Sequence, residues 1–199
     1  MQARLYKVFQ QVGEDLFAQR LNSATSGNIS VRTAKGLIIS RSGRLKSRLE
    51  PDDLIELALE PDAERDKEAS VETVIHRTVY RQTDALAVVH AHPRFAIALS
   101  FHLGTIVPID LEGKYHFSQI PVLNPPTVSS TPEAAAAVAE SLRFRKACIL
   151  RGHGAFVKGV GETPEKALIQ AYGLMTSLEE ACEVLFYERL WEKDESGSL

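Results

Sequence analysis

The sequence contains little cysteine, a single tryptophan and no long apolar run. Its two cysteines, Cys148 and Cys182, are too few for a disulfide framework and lack the spacing of metal ligands, so we expect two reduced thiols in the core. No window reaches the apolar length that crosses a bilayer, and Arg4, Lys7 and Glu14 interrupt the N-terminal stretch. We therefore expect neither a membrane span nor a signal peptide, and the sequence predicts a cytoplasmic protein.

A strong charge of one sign is also missing. The net charge is -3 over 199 residues, with both signs interspersed. This balance gives no electrostatic reason to expect nucleic acid or an anionic membrane as a partner. A hydrophobic content of 44% and a charged content of 25% are typical of an ordinary globular protein. The length favours a single domain over residues 1–199, with a sizeable core.

The apolar residues that are present alternate between helical and strand periodicity. Helical spacing and capping signals predict five helices, over residues 5–21, 71–82, 93–102, 131–144 and 163–191. Alternation and β-branched runs predict six strands, over residues 29–32, 37–40, 54–59, 86–91, 147–150 and 155–158. Ser70 is the expected N-cap of the second helix, 104–127 is typical of short strands and loops, and the tail 194–199 is expected to be frayed.

This order of elements predicts an α/β fold. One sheet lies between helical layers, which makes a single-domain three-layer α/β/α sandwich. Two apparent hairpins indicate that the central sheet is mostly antiparallel.

Two histidines mark the end of the strand over residues 86–91. His90 and His92 are two residues apart, so both project from the same face of the strand, and Pro93 ends the ladder. Two imidazoles held in this way form half of a metal site. The alternative is a pair of core or surface histidines that happen to alternate.

A third histidine and a glutamate can complete such a site. His153 lies between Gly152 and Gly154, which let the backbone turn tightly, although such a turn can simply carry a polar tip. Three histidines with an open fourth position are the pattern of a catalytic metal site. Glu72 lies at the start of a helix, where a carboxylate is favoured even without a catalytic role. His76 is one turn further on and is expected to support the site or pack in the core.

Three polar segments have the composition of phosphate-binding loops. Ser26-Gly27-Asn28 and Ser42-Gly43 combine small side chains with exposed N–H groups, and Ser70 adds another position near a helix start. Taken one at a time, each of these segments is an ordinary turn.

In order along the chain, Ser-Gly-Asn-Ile-Ser, Ser-Gly, Ser-Val-Glu-x-x-x-His, His-x-His and Gly-His-Gly strongly resemble the class II, zinc-dependent aldolase family. The resemblance covers about residues 2–191 and is nearest to the L-fuculose-1-phosphate aldolases of that family. It implies that Zn²⁺ binds to His90, His92 and His153. It also implies that Glu72 is the catalytic acid/base and can ligate the metal when substrate is absent.

The same resemblance implies a phosphate pocket and a shared active site. The pocket residues that match are Gly27, Asn28, Ser42, Gly43, Ser70 and Val71. Val71 stands where these aldolases usually have a second serine, so it offers only its backbone N–H. The resemblance further implies a homotetramer with active sites at subunit interfaces, and a tyrosine that protonates the aldehyde oxygen of a neighbouring site. Tyr115 is the candidate for that tyrosine; the alternative is that it is a loop aromatic.

The activity implied by the resemblance is reversible cleavage of a ketose 1-phosphate. The products are dihydroxyacetone phosphate and an aldehyde, which is L-lactaldehyde if the substrate is L-fuculose 1-phosphate. Glu72 favours this activity over a pentulose-5-phosphate 4-epimerase, which has aspartate there. It favours equally a methylthioribulose-1-phosphate dehydratase. Two further alternatives are a non-catalytic adducin-like interaction domain and a structural zinc protein. Loss of the metal-binding histidines would indicate the first, and a fourth protein ligand that closes the site would indicate the second.

Overall fold

Strands and helices alternate along the computed structural model, which describes residues 3–127 and 129–196, with side chains up to Trp191. The helices are α1 (Ala3–Ala18), α2 (Thr73–Gln82), α3 (Arg94–Ser100), α4 (Leu111–His116), α5 (Pro132–Phe144) and α6 (Pro164–Ser196). The strands are β1 (Asn28–Thr33), β2 (Gly36–Ser40), β3 (Leu54–Leu57), β4 (Ala87–Ala91), β5 (Thr105–Ile106), β6 (Ile120–Leu123), β7 (Ala147–Leu150) and β8 (Gly154–Gly159). Short 3-10 turns separate several of these elements.

One sheet of eight strands carries the fold, in the order β3-β2-β1-β4-β8-β7-β6-β5. Among the described strands, β6 and β7 run parallel and the other neighbouring pairs are antiparallel. The predicted mostly antiparallel sheet is therefore confirmed. The central pair, β4 and β8, is antiparallel and places Ala91 opposite Ala155, so the end of β4 lies beside the start of β8.

Helices cover both faces of the sheet and make the predicted three layers. On β4, Val89 belongs to an apolar cluster with residues of α1, α3 and α6, whereas Val88 belongs to a second cluster with residues of α2 and α5. α1 shows how the pattern dictates this arrangement, because it buries the apolar stripe of Leu5, Phe9, Val12 and Leu16. Burial of each large side chain is worth about 1.5–3 kcal/mol. Since side chains alternate along a strand, His90 and His92 project towards the α2 and α5 side.

The structure differs from the predicted elements in several places. α1 ends at Ala18 and α3 at Ser100, each ahead of its predicted end. α2 begins at Thr73 with Glu72 at its N-cap, so Ser70 is not the N-cap; the hydroxyl of Thr73 donates to the Ser70 carbonyl and forms a turn ahead of the helix. β3 ends at Leu57, ahead of the predicted end. The stretch predicted to hold strands and loops contains α4, whose N-cap Asp110 accepts from the backbone N–H of Gly113.

The remaining expectations concern the thiols, the membrane and the C-terminal tail. Cys148 and Cys182 are buried free thiols, as predicted, and burial raises the pKa of Cys148 to about 12. None of the described helices is long and apolar enough to cross a membrane. α6 continues past its predicted end at Trp191 to Ser196, and 197–199 of the predicted frayed tail lie outside the described residues.

Candidate active site

Two adjacent strand ends bring the three predicted histidines together. His90 and His92 lie at the end of β4, and His153 lies in the turn just before β8. This turn needs its glycines: Gly152 has a φ of +69°, and a Cβ on Gly154 would lie 2.4 Å from the carbonyl oxygen of Ala91. The glycine-flanked histidine therefore approaches the end of β4 more closely than a bulkier sequence allows.

The three imidazoles form a cluster that can hold a metal ion. The Nε2 atom of His90 lies 3.1 Å from Nε2 of His92 and 3.2 Å from Nε2 of His153. The candidate ligand atoms all lie within 4.8 Å of one another. The Nδ1–H of His90 donates to the carbonyl oxygen of Ala155 at 2.9 Å, which leaves the Nε2 lone pair facing its neighbours. Three imidazole nitrogens gathered at this distance are a donor set that fits a divalent metal ion.

Burial keeps His90 and His92 neutral. His90 is fully buried and its ring stacks on Phe156, with centroids 4.1 Å apart. Burial lowers the pKa of His90, and burial together with the neighbouring His90 and His153 lowers the pKa of His92 to about 4. Neutral imidazole is the form that binds a metal ion, so these two ligands are in their binding form at neutral pH.

Glu72 reaches this cluster from the N-cap of α2. Its Oε2 lies 3.1 Å from Nε2 of His90, and its Oε1 lies 3.1 Å from Nε2 of His153. The carboxylate also accepts from the Asn28 amide at 2.7 Å and from the Ser129 hydroxyl at 3.2 Å. Burial raises the pKa of Glu72, whereas the hydrogen bonds from His153 and from the Asn28 amide lower it, and the pKa lies below its usual range. Glu72 is thus an ionised, buried carboxylate beside the metal site.

A buried chain of hydrogen bonds supports Glu72 from behind. The Asn28 amide nitrogen donates to Glu72, so the amide oxygen of Asn28 faces His76 and accepts a hydrogen bond from its Nε2–H. The Nδ1 atom of His76 is then an acceptor and pairs with the Ser30 hydroxyl at 2.6 Å. That hydroxyl in turn accepts from Tyr80 at 2.6 Å. Each donor in this series of hydrogen bonds is used once, so the series fixes the orientation of the Asn28 amide.

The pH dependence of stability tests the state of His76 in this chain. Complete burial lowers the pKa of His76 from 6.5 to about 3. The unfolded chain therefore binds more protons between these values, and stability that is present above pH 6.5 is lost as the pH falls towards 3. Between pH 7 and pH 4 we expect the metal-free protein to lose about 3 kcal/mol from this residue alone, at about 1.4 kcal/mol for each pH unit below 6.5. Denaturant titrations from pH 7 to pH 4 measure the loss.

Two matched variants test whether this loss of stability comes from His76. His76→Gln is expected to have a lower stability at pH 7 but a shallower decline in free energy of unfolding towards pH 4. His102→Gln, which changes an exposed histidine, is expected to keep the wild-type slope. Equal slopes in wild type and His76→Gln would mean that His76 is not held neutral.

The loop before β1 lies directly against the metal site. Asn28 pairs with His90 across β1 and β4, and its side chain contacts Glu72. Gly27 has a φ of +70°, and a Cβ there would lie 2.5 Å from the Asn22 amide and 2.6 Å from the His90 carbonyl oxygen. No other residue type fits this position without strain.

The other two polar segments lie side by side. An isolated β-bridge joins the residues that immediately precede Ser42 and Ser70. Gly43 has a φ of +69°, and Val71 is 70% exposed, so this part of the surface is open to a ligand. The loop after β2 and the turn before α2 therefore meet at one surface, as a shared phosphate pocket requires.

Tyr115 is not brought to the metal site of its own chain. It is exposed on α4 and lines a cleft with Lys146 and Lys158. Lys158 lies in β8 five residues after His153, a separation of about 16 Å for an extended strand. Tyr115 therefore lies at the opposite end of the strands from the metal site.

Two polar residues at the site were not predicted from the sequence. Ser129 donates to Glu72 from the loop before α5, and Lys46 is buried beneath the polar loops. Ser129 stands in a serine pair with no motif around it. The sequence signal for Lys46 is its place three residues after Gly43, within a loop already assigned to phosphate.

Comparison with known proteins shows the family of this chain. The family described as Class II Aldolase and Adducin N-terminal domain matches residues 7–186. The crystal structure of L-fuculose-1-phosphate aldolase from Thermus thermophilus is 59% identical, with a TM-score of 0.94, and the match covers 96% of this chain and 97% of that one. A second solved structure, described as L-fuculose 1-phosphate aldolase, is 19% identical and shares the fold, with a TM-score of 0.82; that match covers 96% of this chain and 89% of the other.

Relatives found by sequence carry a second set of names. The 5-methylthioribulose-1-phosphate/5-deoxyribulose-1-phosphate aldolase of Escherichia coli is 31% identical over 159 residues, which cover 77% of this chain and 72% of that protein. A probable bifunctional methylthioribose-1-phosphate isomerase/methylthioribulose-1-phosphate dehydratase of Nocardia farcinica is 40% identical over 93 residues. That match covers 45% of this chain and 17% of the Nocardia protein.

The family match covers most of the chain, and these relatives bear the names of aldolases and dehydratases. The predicted three-layer fold and the predicted family are both confirmed. This chain belongs to the class II aldolase and adducin N-terminal domain family, among the enzymes of that family.

Proposed function

We propose that this protein is a zinc-dependent aldolase that reversibly cleaves L-fuculose 1-phosphate to dihydroxyacetone phosphate and L-lactaldehyde. The observation that carries the proposal is the Glu72 carboxylate, 3.1 Å from two of three clustered histidine nitrogens. A structural zinc site would be closed by four protein ligands, whereas three histidines leave a position for substrate. The intact histidine cluster also disfavours a non-catalytic interaction domain.

The chemistry needs a base close to a Lewis acid. In the condensation direction, a proton must leave the carbon next to the carbonyl of dihydroxyacetone phosphate. When bound, zinc supplies the Lewis acidity that stabilises negative charge on the substrate oxygens. Glu72 takes the proton, and Asn28 and Ser129 hold its carboxylate at the metal site through the hydrogen bonds described above. Ionised Glu72 is the form that a base requires.

The polar loops bind the phosphate in this proposal. Gly27, Asn28 and Gly43 offer backbone N–H groups, Ser42 offers its hydroxyl because its own N–H donates to the Glu68 carbonyl, and Ser70 and Val71 extend the pocket along the adjacent turn. Binding energy from the phosphate, which does not react, then orients the reacting carbon at the metal site. Both left-handed glycines keep the loops open to an anion.

Tyr115 acts across a subunit interface in this proposal, because it is far from the metal site of its own chain. The protein then forms a homotetramer whose active sites lie between chains, and the Tyr115 hydroxyl protonates the aldehyde oxygen of a neighbouring site. A single domain over residues 1–199 and a cytoplasmic location belong to the same proposal.

Mixed oligomers test the shared site. Glu72→Gln and Tyr115→Phe are each expected to inactivate the enzyme, but co-assembled chains would include sites in which both residues are intact. We expect the mixture to recover about a quarter of wild-type activity, since each residue is intact in half of the chains. Activity no greater than the average of the two parent variants would place both residues in one chain or remove Tyr115 from the reaction.

Substrate comparison tests the reaction itself. L-fuculose 1-phosphate, 5-deoxyribulose 1-phosphate and 5-methylthioribulose 1-phosphate are supplied to the metal-loaded protein, and products are identified by NMR. We expect release of dihydroxyacetone phosphate, with the highest kcat/KM for L-fuculose 1-phosphate. Loss of water from 5-methylthioribulose 1-phosphate without carbon–carbon cleavage would overturn the aldolase and support the dehydratase named among the relatives.

A further inference from the structure

A buried lysine lies beneath the two polar loops and joins them. The Lys46 side chain is almost completely buried, with a relative exposure of 1%. Its ammonium donates to the carbonyl oxygens of Arg44 at 3.0 Å and Arg41 at 3.3 Å, and to that of Thr25 at 3.4 Å. Its backbone N–H donates to the carbonyl oxygen of Ala24 at 3.0 Å. One residue therefore holds the loop before β1 and the loop after β2 at a fixed separation.

The described hydrogen bonds of this ammonium all go to carbonyl groups. The acid whose charge acts on Lys46 is Asp53, which forms an ion pair with Arg44, and the neighbouring Arg41 is paired with Glu68. α1 packs against the same turn through Gly13, which carries no charge. Burial lowers the pKa of Lys46 to about 8, and the charge of Asp53 only partly opposes this. The ammonium is thus a positive charge that its surroundings do not fully compensate.

The geometry of the loops directs that charge towards a ligand. A trans peptide points its C=O and N–H in opposite directions, so the carbonyls of Arg44 and Thr25 that face Lys46 turn the following N–H groups, those of Leu45 and Ser26, away from it. The N–H that follows the Arg41 carbonyl, that of Ser42, donates to the carbonyl oxygen of Glu68. Ser42, Gly43 and Arg44 of the same loop are exposed. An anion on the outer surface of the loops is therefore separated from the ammonium by little more than one peptide unit, within the range at which a partly buried charge acts.

We propose that Lys46 is a positioning residue for the substrate phosphate, because it fixes the spacing of the two loops and places a positive charge beneath the bound dianion. This role rests on the proposed function, in which these loops bind a sugar phosphate. A lysine that only stabilised the loops would be expected to affect folding, but not to make anion affinity depend on its own charge.

Binding of inorganic phosphate to the metal-loaded protein tests the role, by calorimetry between pH 7.5 and pH 9.5. A bound phosphate dianion favours the charged form of Lys46. The affinity for phosphate is therefore highest below about pH 8, and it falls at higher pH as Lys46 of the free protein loses its proton. We expect wild-type affinity to fall by about tenfold across this range. Lys46→Met is expected to bind at least about tenfold more weakly at pH 7.5 and to show no such fall.

Three comparisons keep the test decisive. Lys46→Arg retains a charge that does not titrate in this range, so its affinity is expected to stay level up to pH 9.5. Lys35→Met changes an exposed lysine of the β1–β2 turn and is expected to match wild type. With sugar phosphate as substrate, Lys46→Met is expected to raise KM while kcat stays within about threefold. If Lys46→Met does not fold, comparison of how phosphate affinity depends on pH in wild type and in Lys46→Arg still tests the role of Lys46.

Equal phosphate affinity of wild type and Lys46→Met, a wild-type affinity that does not change with pH, or no phosphate binding at all would each overturn the role of Lys46. Phosphate affinity is measured without turnover, so it is independent of the reaction catalysed. A chain that binds phosphate through Lys46 but cleaves no sugar phosphate refutes the proposed reaction alone. A chain that cleaves L-fuculose 1-phosphate with a phosphate affinity independent of Lys46 refutes this inference alone.

Discussion

Glu72→Gln is expected to lower turnover by about 10²- to 10⁴-fold, the contribution typical of a positioned acid/base. Glutamine has nearly the same shape and can still occupy the space between Asn28 and the histidines, so the fold should be retained. It cannot take a proton from carbon. Because His90, His92 and His153 remain, we expect the metal content to stay at one ion per chain. Turnover and metal content are measured on the same preparation, by coupled assay and by mass spectrometry.

A matched variant separates the role of Glu72 from a general loss of negative charge. Glu64→Gln changes an exposed glutamate that pairs with Lys67 on the surface, and it is expected to behave as wild type. Turnover of Glu72→Gln within a few-fold of wild type would remove Glu72 from the chemistry. Loss of the metal from this variant would instead make Glu72 chiefly a ligand.

His153→Ala is expected to have the second large effect, loss of both metal and activity. His153 is the ligand to change, because it lies in a turn with 23% of its side chain exposed, whereas His90 is buried against Phe156. Truncation at His153 therefore leaves the core intact. Loss of an outer partner of a metal ligand already weakens binding by about 10- to 100-fold, so loss of a ligand itself should exceed that.

Competition with a chelator of known affinity measures this change in metal binding. His102→Ala, which changes an exposed histidine outside the cluster, is expected to bind metal and turn over as wild type does. If His153→Ala bound metal with wild-type affinity, the cluster of three histidines would not be the binding site.

Local sequence signals predicted the parts of the site that depend on neighbours in the chain. His90 and His92 follow from strand periodicity, and His153 from its flanking glycines, because each signal lies within a few residues. Glu72 was expected at a helix start and lies at the N-cap of α2. Ser70 was misplaced as the N-cap, since the side chain of Thr73 forms a competing turn that composition alone does not reveal.

The contacts that complete the site could not be predicted, because they join residues far apart in sequence. Ser129 and Glu72 are separated by 57 positions, and His76 and Ser30 by 46. The contacts of Lys46 could not be predicted for the same reason, because its partner Thr25 lies on another loop. α4 was missed for a different reason, since one short turn between prolines has too few residues to establish a helical period. Periodicity reports on neighbours along an element, whereas these contacts depend on how the elements pack.

We propose that the histidine cluster and Glu72 form a metal-dependent centre for ketose 1-phosphate cleavage. The most direct test is titration of the chelator-treated protein with Zn²⁺ in the presence of L-fuculose 1-phosphate, following dihydroxyacetone phosphate with a coupled reductase. We expect no product without metal, and activity that rises in proportion to added Zn²⁺ and saturates at about one ion per chain. Product formation that is unaffected by chelation, or no product with one zinc ion bound per chain, would contradict the account.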